Sequence, residues 1–221
     1  MFHWLENRPF FFAVTVFIFI AFAGIIEIIP DFAKQSRPVV GTKPYSVLEL
    51  AGRHIYIKDS CNACHSQLVR PFKSETDRYG MYSLGGEYAY DRPFLWGSKR
   101  TGPDLMRVGN YRTTDWHENH MMDPISVVPG SIMPAYKHMF TNKADIETAY
   151  AEAITVRDIF GVPYDKDGMP KLGELADTEA VVLADAKAIA ADMKNQDIKD
   201  AVANGEIPEI VALIAYLNSL K

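Results

Sequence analysis

The sequence predicts a mainly α-helical protein in which a single N-terminal transmembrane helix precedes an all-α domain with long ordered loops. Three observations support this fold class. Residues 10–29 are almost entirely apolar, and two further stretches, 46–59 and 207–217, carry apolar residues at helical spacing. Between Lys73 and Asn119 the chain is rich in Gly, Tyr, Arg and Pro without regular periodicity, which is typical of ordered loops with short helices.

Composition excludes some classes of function. The 221 residues suffice for one ordinary domain plus an appendage. The formal net charge of −5 argues against nucleic acid as a partner, because binding to phosphates requires a basic surface. The only two cysteines, Cys61 and Cys64, leave none for a disulfide framework, so the compartment must be inferred from membrane topology.

The apolar stretch Phe10–Ile29 predicts the transmembrane helix. At about 1.5 Å per residue its twenty residues span the roughly 30 Å hydrocarbon layer. The alternative is a cleavable signal peptide, since Ala21-Phe22-Ala23 resembles a cleavage site. The apolar pattern continues beyond that site to Ile29 and is broken only by Pro30-Asp31, which favours a retained anchor.

The orientation of the anchor follows from Arg8, the one firmly positive side chain before it. Because Arg and Lys favour the cytoplasmic side, we expect a cytoplasmic N-terminus in a bacterial inner membrane and a domain in the periplasm. The predicted organisation is a tail and anchor at 1–32, a tether at 33–45 rich in proline and mixed charge, and one domain at 46–221.

The first helix of the domain is predicted at 46–59, with Ser46 as a possible N-cap. Gly52 and Tyr56 lie four residues apart and share one face. A glycine there costs about 1 kcal/mol of helix stability relative to alanine, so close approach of another helix would explain it. The stretch 207–217 is apolar around most of its surface, and we expect it to pack on the first helix.

Two more helices are expected between these ends. Asp145–Phe160 is amphipathic, and Gly161 should stop it. An alanine-rich helix should follow, capped by Asp177 or Thr178 and ending at about Lys194.

The run Cys61-x-x-Cys64-His65 indicates covalent attachment of a c-type haem. Two thiols at this spacing can form thioethers with the two porphyrin vinyl groups, while the adjacent imidazole binds the iron. A redox dithiol needs no following histidine, and a zinc site would need a second pair of ligands. A structural disulfide here would close a very small loop with little gain in stability.

The second axial ligand decides what the haem does. A methionine raises the reduction potential and makes an electron carrier, whereas an open face permits ligand chemistry. Met133 lies in a loop bracketed by Pro129 and Pro134, so stiff backbone presents its sulfur. Taken alone, a methionine in this place is more often a core residue that fills a gap beside a ring. The competing ligands are Met121, Met122, Met139, His117, His120 and His138.

The stretch Thr101-Gly102-Pro103-Asp104-Leu105 offers a complementary element. An axial histidine needs its other ring N–H held, commonly by a backbone carbonyl. Pro103 could supply that carbonyl to His65, although Gly-Pro-Asp by itself is more often a simple turn.

Together these motifs resemble the class I cytochrome c pattern. More narrowly, the chain resembles the mono-haem, membrane-anchored subunit of cbb3-type cytochrome c oxidase, also called subunit II or FixO-like. The matching stretches are Lys43-Pro44-Tyr45, Cys64 to Gln67, Arg70-Pro71-Phe72, Glu75-Thr76, Arg78-Tyr79-Gly80, Pro93 to Leu105, Asp115-Trp116-His117 and Gly161 to Tyr164. Residues 165–204 fit the family least, and we expect them to form a variable surface insertion.

The resemblance implies a class I cytochrome c-like domain with one covalent haem c, in which His65 and Met133 are the axial ligands and Pro103 orients His65. The chain would relay electrons from a di-haem cytochrome c subunit, or from a soluble cytochrome c, to a haem–copper catalytic subunit. Oxygen reduction and proton translocation would belong to that partner.

The resemblance also implies a contact surface. Family complexes place a calcium ion at the interface with the catalytic subunit, through a position matching Ser98. Trp96–Arg100 is interpreted as part of that interface, because aromatic and Arg side chains commonly anchor such contacts; a solvated basic turn is the simpler interpretation. Two other classes of function remain: a free-standing membrane-anchored cytochrome c shuttle, and a haem enzyme or sensor with an open iron.

Overall fold

The computed structural model describes residues 2–32 and 37–221. The chain divides into two compact units, one ending at Arg37 and the other comprising Pro38–Lys221. The described residues form helices and loops, with an isolated β-bridge between Lys143 and Pro208. The predicted mainly α fold class is therefore confirmed.

The helices alternate with long loops. The α-helices are α1 (Phe2–Glu6), α2 (Pro9–Phe32), α3 (Val47–Lys58), α4 (Cys61–Cys64), α5 (Lys73–Tyr79), α6 (Thr114–Met122), α7 (Pro124–Val127), α8 (Ile146–Phe160), α9 (Leu175–Ala191), α10 (Gln196–Ala203) and α11 (Glu209–Ser219). Short 3₁₀ helices lie at Gly85–Tyr88, Val108–Asn110 and Lys137–Phe140. The region between 73 and 119 thus has the predicted ordered loops with short helices.

The first unit contains the long apolar helix that was expected near the N-terminus. Within α2, Pro9–Ile29 is the one stretch of the described chain that is long and apolar enough to cross a membrane. Its large side chains, such as Phe17 and Ile20, are exposed within this unit, which suits contact with lipid. Residues 33–36 of the predicted tether lie outside the described residues.

The later part of the predicted tether, 38–45, packs on the globular unit. Pro44 is buried, and the Tyr45 ring contacts the Tyr216 ring edge-on at a centroid distance of 5.5 Å. The Tyr164 hydroxyl donates a hydrogen bond of 2.7 Å to the Tyr45 carbonyl. The ordered unit therefore begins several residues before 46, the predicted start of the domain.

Helices α3 and α11 form the centre of the core, as predicted from their apolar patterns. Ser46 caps α3 through a capping box, in which its hydroxyl accepts from the Glu49 amide and the Glu49 carboxylate accepts from the Ser46 amide. Gly52 lies directly against the Ala212 carbonyl of α11, so the close approach that explains a glycine in α3 is confirmed. This packing fixes the end of α3, from which the Cys61 turn follows.

Helix α8 matches its prediction, with Asp145 as the N-cap and Gly161, at φ +66°, at its end. The predicted cap of α9 is wrong. Helix α9 begins at Leu175 after Glu174, which makes no capping hydrogen bond through its side chain, while Thr178 is buried one turn inside the helix.

The segment 165–204 is more than a surface insertion. It contains α9 and α10, and its buried side chains pack against α3, α8 and α11. These buried residues include Val182, Ala186, Ala190, Met193, Ile198 and Val202. The Glu118 carboxylate also accepts hydrogen bonds from the amides of Lys194 and Asn195, at 2.6 and 2.7 Å, which ties the segment to α6.

Candidate functional site

The two cysteines lie on a short helix directly after α3. Ser60, at φ +58°, turns the chain into α4, where Cys61 is buried and Cys64 is exposed, and neither forms a disulfide. Burial raises the pKa of the Cys61 thiol to about 12. A reactive redox cysteine needs the opposite shift. The environment of Cys61 therefore disfavours a redox dithiol and suits an uncharged thioether.

The histidine of the motif is held in one tautomer. His65 Nδ1 lies 2.8 Å from the Pro103 carbonyl oxygen. Because a carbonyl only accepts, Nδ1 carries the proton and Nε2 presents a lone pair. Burial lowers the pKa of His65, and the hydrogen bond to Pro103 opposes this shift only in part. The imidazole is thus neutral and oriented, as a ligand to a metal must be.

Gly102 allows this hydrogen bond. A Cβ added at Gly102 would lie 2.7 Å from Nδ1 and 2.9 Å from Nε2 of His65, closer than atoms can approach. The Gly102 amide donates to the Cys64 carbonyl at 2.9 Å, and the Leu105 amide donates to the Ser66 carbonyl at 2.8 Å. The loop 101–105 therefore lies against the Cys64–Ser66 backbone, and its Gly102 contacts the His65 imidazole.

Asp104 connects the two loops, a role that the sequence analysis missed. Its side chain is fully buried. One carboxylate oxygen accepts from the Ser66 hydroxyl at 2.6 Å and the Leu68 amide at 2.8 Å, and the other accepts from the Met106 amide at 2.9 Å. The position of Asp104 directly after Pro103 in the sequence could have indicated a role at the site. Its hydrogen-bond partners could not be predicted, because they depend on the fold.

Arg100, the last residue of the predicted interface stretch Trp96–Arg100, is largely buried and makes its hydrogen bonds within the domain. Its side chain is 19% exposed and donates to the Ser66 hydroxyl at 2.6 Å and to the Leu68 carbonyl at 2.8 Å. It also pairs with Glu75 at 2.7 Å, and its hydrogen bond is the main reason that the pKa of Glu75 is lowered to about 2.

The surface beside Arg100 is aromatic. Phe94 and Trp96 are both exposed, and their rings stack with centroids 4.6 Å apart. The Trp96 carbonyl accepts from the Gln67 amide at 2.8 Å, so this aromatic pair is fixed to the segment after His65. Ser98 is exposed nearby. It is not part of the cluster of three metal-ligating side chains that is found among the described residues.

The Met133 segment lies beside the cysteine helix. The Tyr136 amide donates to the Met121 carbonyl at 2.8 Å. Burial raises the pKa of Tyr136, and the nearby Cys61 and Asp59 raise it further, so the Tyr136 hydroxyl lies close to the cysteine motif. Met133 is partly buried and packs on the core. The loop that carries Met133 is therefore held between α6 and the start of the haem motif.

The structure separates the competing ligands. Met139 is completely buried in the core, and His138 Nε2 is hydrogen-bonded to Asp59 at 3.0 Å. Met121 is buried on α6, next to the partly buried Met122.

Helix α6 also presents unpaired histidine nitrogens. His117 is 2% exposed, yet no described residue hydrogen-bonds either of its ring nitrogens, and His120 Nδ1 is likewise buried without a described partner. Burial is the main reason that the pKa of His117 falls to about 4. Burial also lowers the pKa of His120, and the nearby His65 lowers it further. Buried polar atoms normally have partners, so these nitrogens are available to hydrogen-bond a group bound next to α6.

These features fit a haem c. Two cysteines are available at thioether spacing, a neutral imidazole presents Nε2, a glycine leaves room behind that imidazole, and buried nitrogens lack partners. Such a group carries anionic propionates that accept hydrogen bonds.

Comparison with known families supports the same interpretation. A family model described as cytochrome C oxidase, mono-heme subunit/FixO, matches residues 2–221. No curated protein matches the chain significantly. The family match extends through residues 165–204, the segment with the weakest motif resemblance.

Proposed function

The chain belongs to the FixO family of cytochrome c oxidase mono-haem subunits, and from this membership we propose that it relays electrons to the haem–copper catalytic subunit of a cbb3-type terminal oxidase. It would serve aerobic or microaerobic respiration as an electron-transfer subunit, without catalysis by this chain alone. Its electron donor would be a di-haem cytochrome c subunit or a soluble cytochrome c.

The observation that supports this proposal most is the His65–Pro103 hydrogen bond directly after the cysteine pair. Cys61 and Cys64 would attach the haem, with His65 and Met133 as its axial ligands. The haem c held in this way supplies a one-electron iron couple. The neighbouring loops are cross-linked by buried hydrogen bonds, so His65 can keep its position in both oxidation states.

The membrane topology suits this role. Helix α2 would anchor the chain once in the bacterial inner membrane, and Arg8 favours a cytoplasmic N-terminus, so the haem domain would lie in the periplasm. The exposed Phe94–Trp96 pair provides an apolar contact surface near the haem motif. Ser98, exposed beside it, would contribute to a calcium ion shared with the catalytic subunit.

Mild detergent extraction of membranes that contain a tagged chain tests the proposal. We expect the chain to co-purify with a many-helix haem subunit and with oxygen-reducing activity. Recovery as a homogeneous monomer with its haem intact would instead favour the free-standing shuttle. Ready binding of carbon monoxide to the reduced chain would favour a sensor with an open iron, because a methionine-ligated iron binds it poorly.

A further inference from the structure

One cluster of metal-ligating side chains lies outside the residues assigned to the haem. Asp59, His138 and Glu209 place one imidazole and two carboxylates so that their ligand atoms all lie within 4.8 Å of one another. His138 Nε2 and the Asp59 carboxylate are 3.0 Å apart. The three residues come from the end of α3, the 3₁₀ helix Lys137–Phe140 and the first turn of α11.

Backbone contacts bring these segments together without help from the side chains. The Glu209 amide donates to the Asn142 carbonyl, and the Asn142 amide donates to the His138 carbonyl, both at 2.9 Å. The Asp59 amide donates to the Ile55 carbonyl at 2.9 Å, which fixes Asp59 at the C-terminal end of α3. The cluster is therefore preorganised, which reduces the entropic cost of binding an ion.

The cluster already attracts a cation. The Lys58 ammonium group pairs with Glu209, whose side chain is only 8% exposed, and the Asp59 side chain is 15% exposed. Two carboxylates this close in a largely buried place repel each other unless positive charge compensates them. Lys58 itself is 50% exposed, so its flexible side chain can turn to solvent and release Glu209.

We propose that Asp59, His138 and Glu209 form a binding site for Zn²⁺, with a water molecule as the fourth ligand. One imidazole nitrogen with two carboxylate oxygens suits zinc, whereas Ca²⁺ and Mg²⁺ prefer oxygen ligands only. Bonds of about 2.0–2.2 Å place tetrahedral ligand atoms about 3.3 Å apart. The separations here, 3.0 Å between His138 Nε2 and the Asp59 carboxylate and no more than 4.8 Å between any two of the ligand atoms, are close to that value.

A zinc ion at this place would link three parts of the domain. Asp59 lies two residues before Cys61, and His138 lies five residues after Met133. The ion would hold both segments to α11, which raises the thermal stability of the domain. It also adds positive charge close to the haem motif, which favours reduced iron and raises the reduction potential.

Calorimetric titration of the zinc-free, full-length haem protein with Zn²⁺ at neutral pH tests the site. We expect one Zn²⁺ per chain, a higher melting temperature and a higher reduction potential. His138→Ala and Asp59→Asn should each weaken Zn²⁺ affinity by about tenfold or more. Lys58→Ala should strengthen it, because the competing ammonium group is removed.

His54→Ala is the matched control. His54 also pairs with a carboxylate, that of Glu152. Among the described residues, however, it belongs to no cluster of three metal-ligating side chains. This variant should bind Zn²⁺ as the unmodified protein does. Zn²⁺ affinity that is unchanged in His138→Ala, or lost equally in His54→Ala, would overturn the proposal. These outcomes do not depend on whether the chain co-purifies with an oxidase.

Discussion

Gln67 and Tyr216 hydrogen-bond to each other in both directions. Gln67 Nε2 donates to the Tyr216 hydroxyl at 2.9 Å, and that hydroxyl donates to Gln67 Oε1 at 3.0 Å. Gln67 lies two residues after His65, and Tyr216 lies on α11. The Tyr88 hydroxyl donates to the Gln67 carbonyl at 2.7 Å. The last helix of the chain is thus fastened to the loop that follows the haem motif.

Tyr216→Phe should lower the free energy of unfolding by about 1–3 kcal/mol, because it leaves the buried side-chain amide of Gln67 without its hydrogen-bond partner. Urea unfolding of the haem protein at neutral pH measures this change. Tyr150→Phe is the control, since the Tyr150 hydroxyl donates to the Gly173 carbonyl at an exposed site and its loss should cost about 0.5 kcal/mol or less. Equal losses in the two variants would contradict the role of this pair.

Gly52→Ala should lower the melting temperature, even though alanine favours a helix by about 1 kcal/mol. The added methyl group would lie 2.6 Å from the Ala212 carbonyl carbon and 2.9 Å from Tyr216 Cβ. Separating α3 from α11 costs about 1–3 kcal/mol or more. Gly85→Ala, where a Cβ meets nothing within 4 Å, should not lower it. A more stable Gly52→Ala protein would argue against the close packing.

Gly102→Ala should disturb the ligation by His65, because the methyl group would overlap the imidazole ring. The ring must rotate or the loop must move, and either change weakens the hydrogen bond to Pro103. Absorption spectra and covalent haem content per chain measure the effect, with Gly85→Ala again as the control. A spectrum identical to that of the unmodified protein would show that the loop does not orient His65.

Met133→His should abolish the near-infrared methionine–iron band and lower the reduction potential, because imidazole replaces a thioether at the iron. Met139→Leu is the control, since Met139 is fully buried in the core and should leave the band in place. Absorption spectroscopy with redox titration measures both. An intact band in Met133→His would assign the second ligand to another residue.

Glu75 should make stability depend on acid pH. Its native pKa of about 2 lies below the usual value of about 4.3. The unfolded chain therefore binds the extra proton, so the stabilisation is complete above about pH 4.3 and is lost as the pH falls towards 2. The free energy of unfolding, measured in urea between pH 5 and 2.5, should therefore fall with decreasing pH less steeply in Glu75→Gln than in the unmodified protein. The two slopes should differ by up to about 1.4 kcal/mol per pH unit.

Asp77→Asn is the control for Glu75→Gln, because the Lys73–Asp77 pair is exposed and contributes little. Its slope should match that of the unmodified protein. A Glu75→Gln slope that also matches would show that Arg100 does not hold this carboxylate ionised.

Much of the fold was predictable because its signals are local. The N-caps Ser46 and Asp145, the end of α8 at Gly161 and the apolar pattern of α11 all act within a few residues. Helix α10 was missed, since it has only eight residues and its apolar face consists of two buried side chains, Ile198 and Val202. The cap of α9 was misplaced, because burial of Thr178 against the core outweighs its capping preference.

The sequence alone determined the apolar N-terminal helix that could span a membrane, the cysteine–histidine motif and the family, because each depends on residues that are near one another in the chain. Only the tertiary structure decided that Asp104 joins the two loops at His65, that Arg100 points inward, and that Asp59, His138 and Glu209 meet. These contacts join residues up to 150 positions apart. The packing of α3 on α11 could be predicted from their apolar patterns, but the side chains that come together around it belong to distant segments, and no local pattern encodes their pairing.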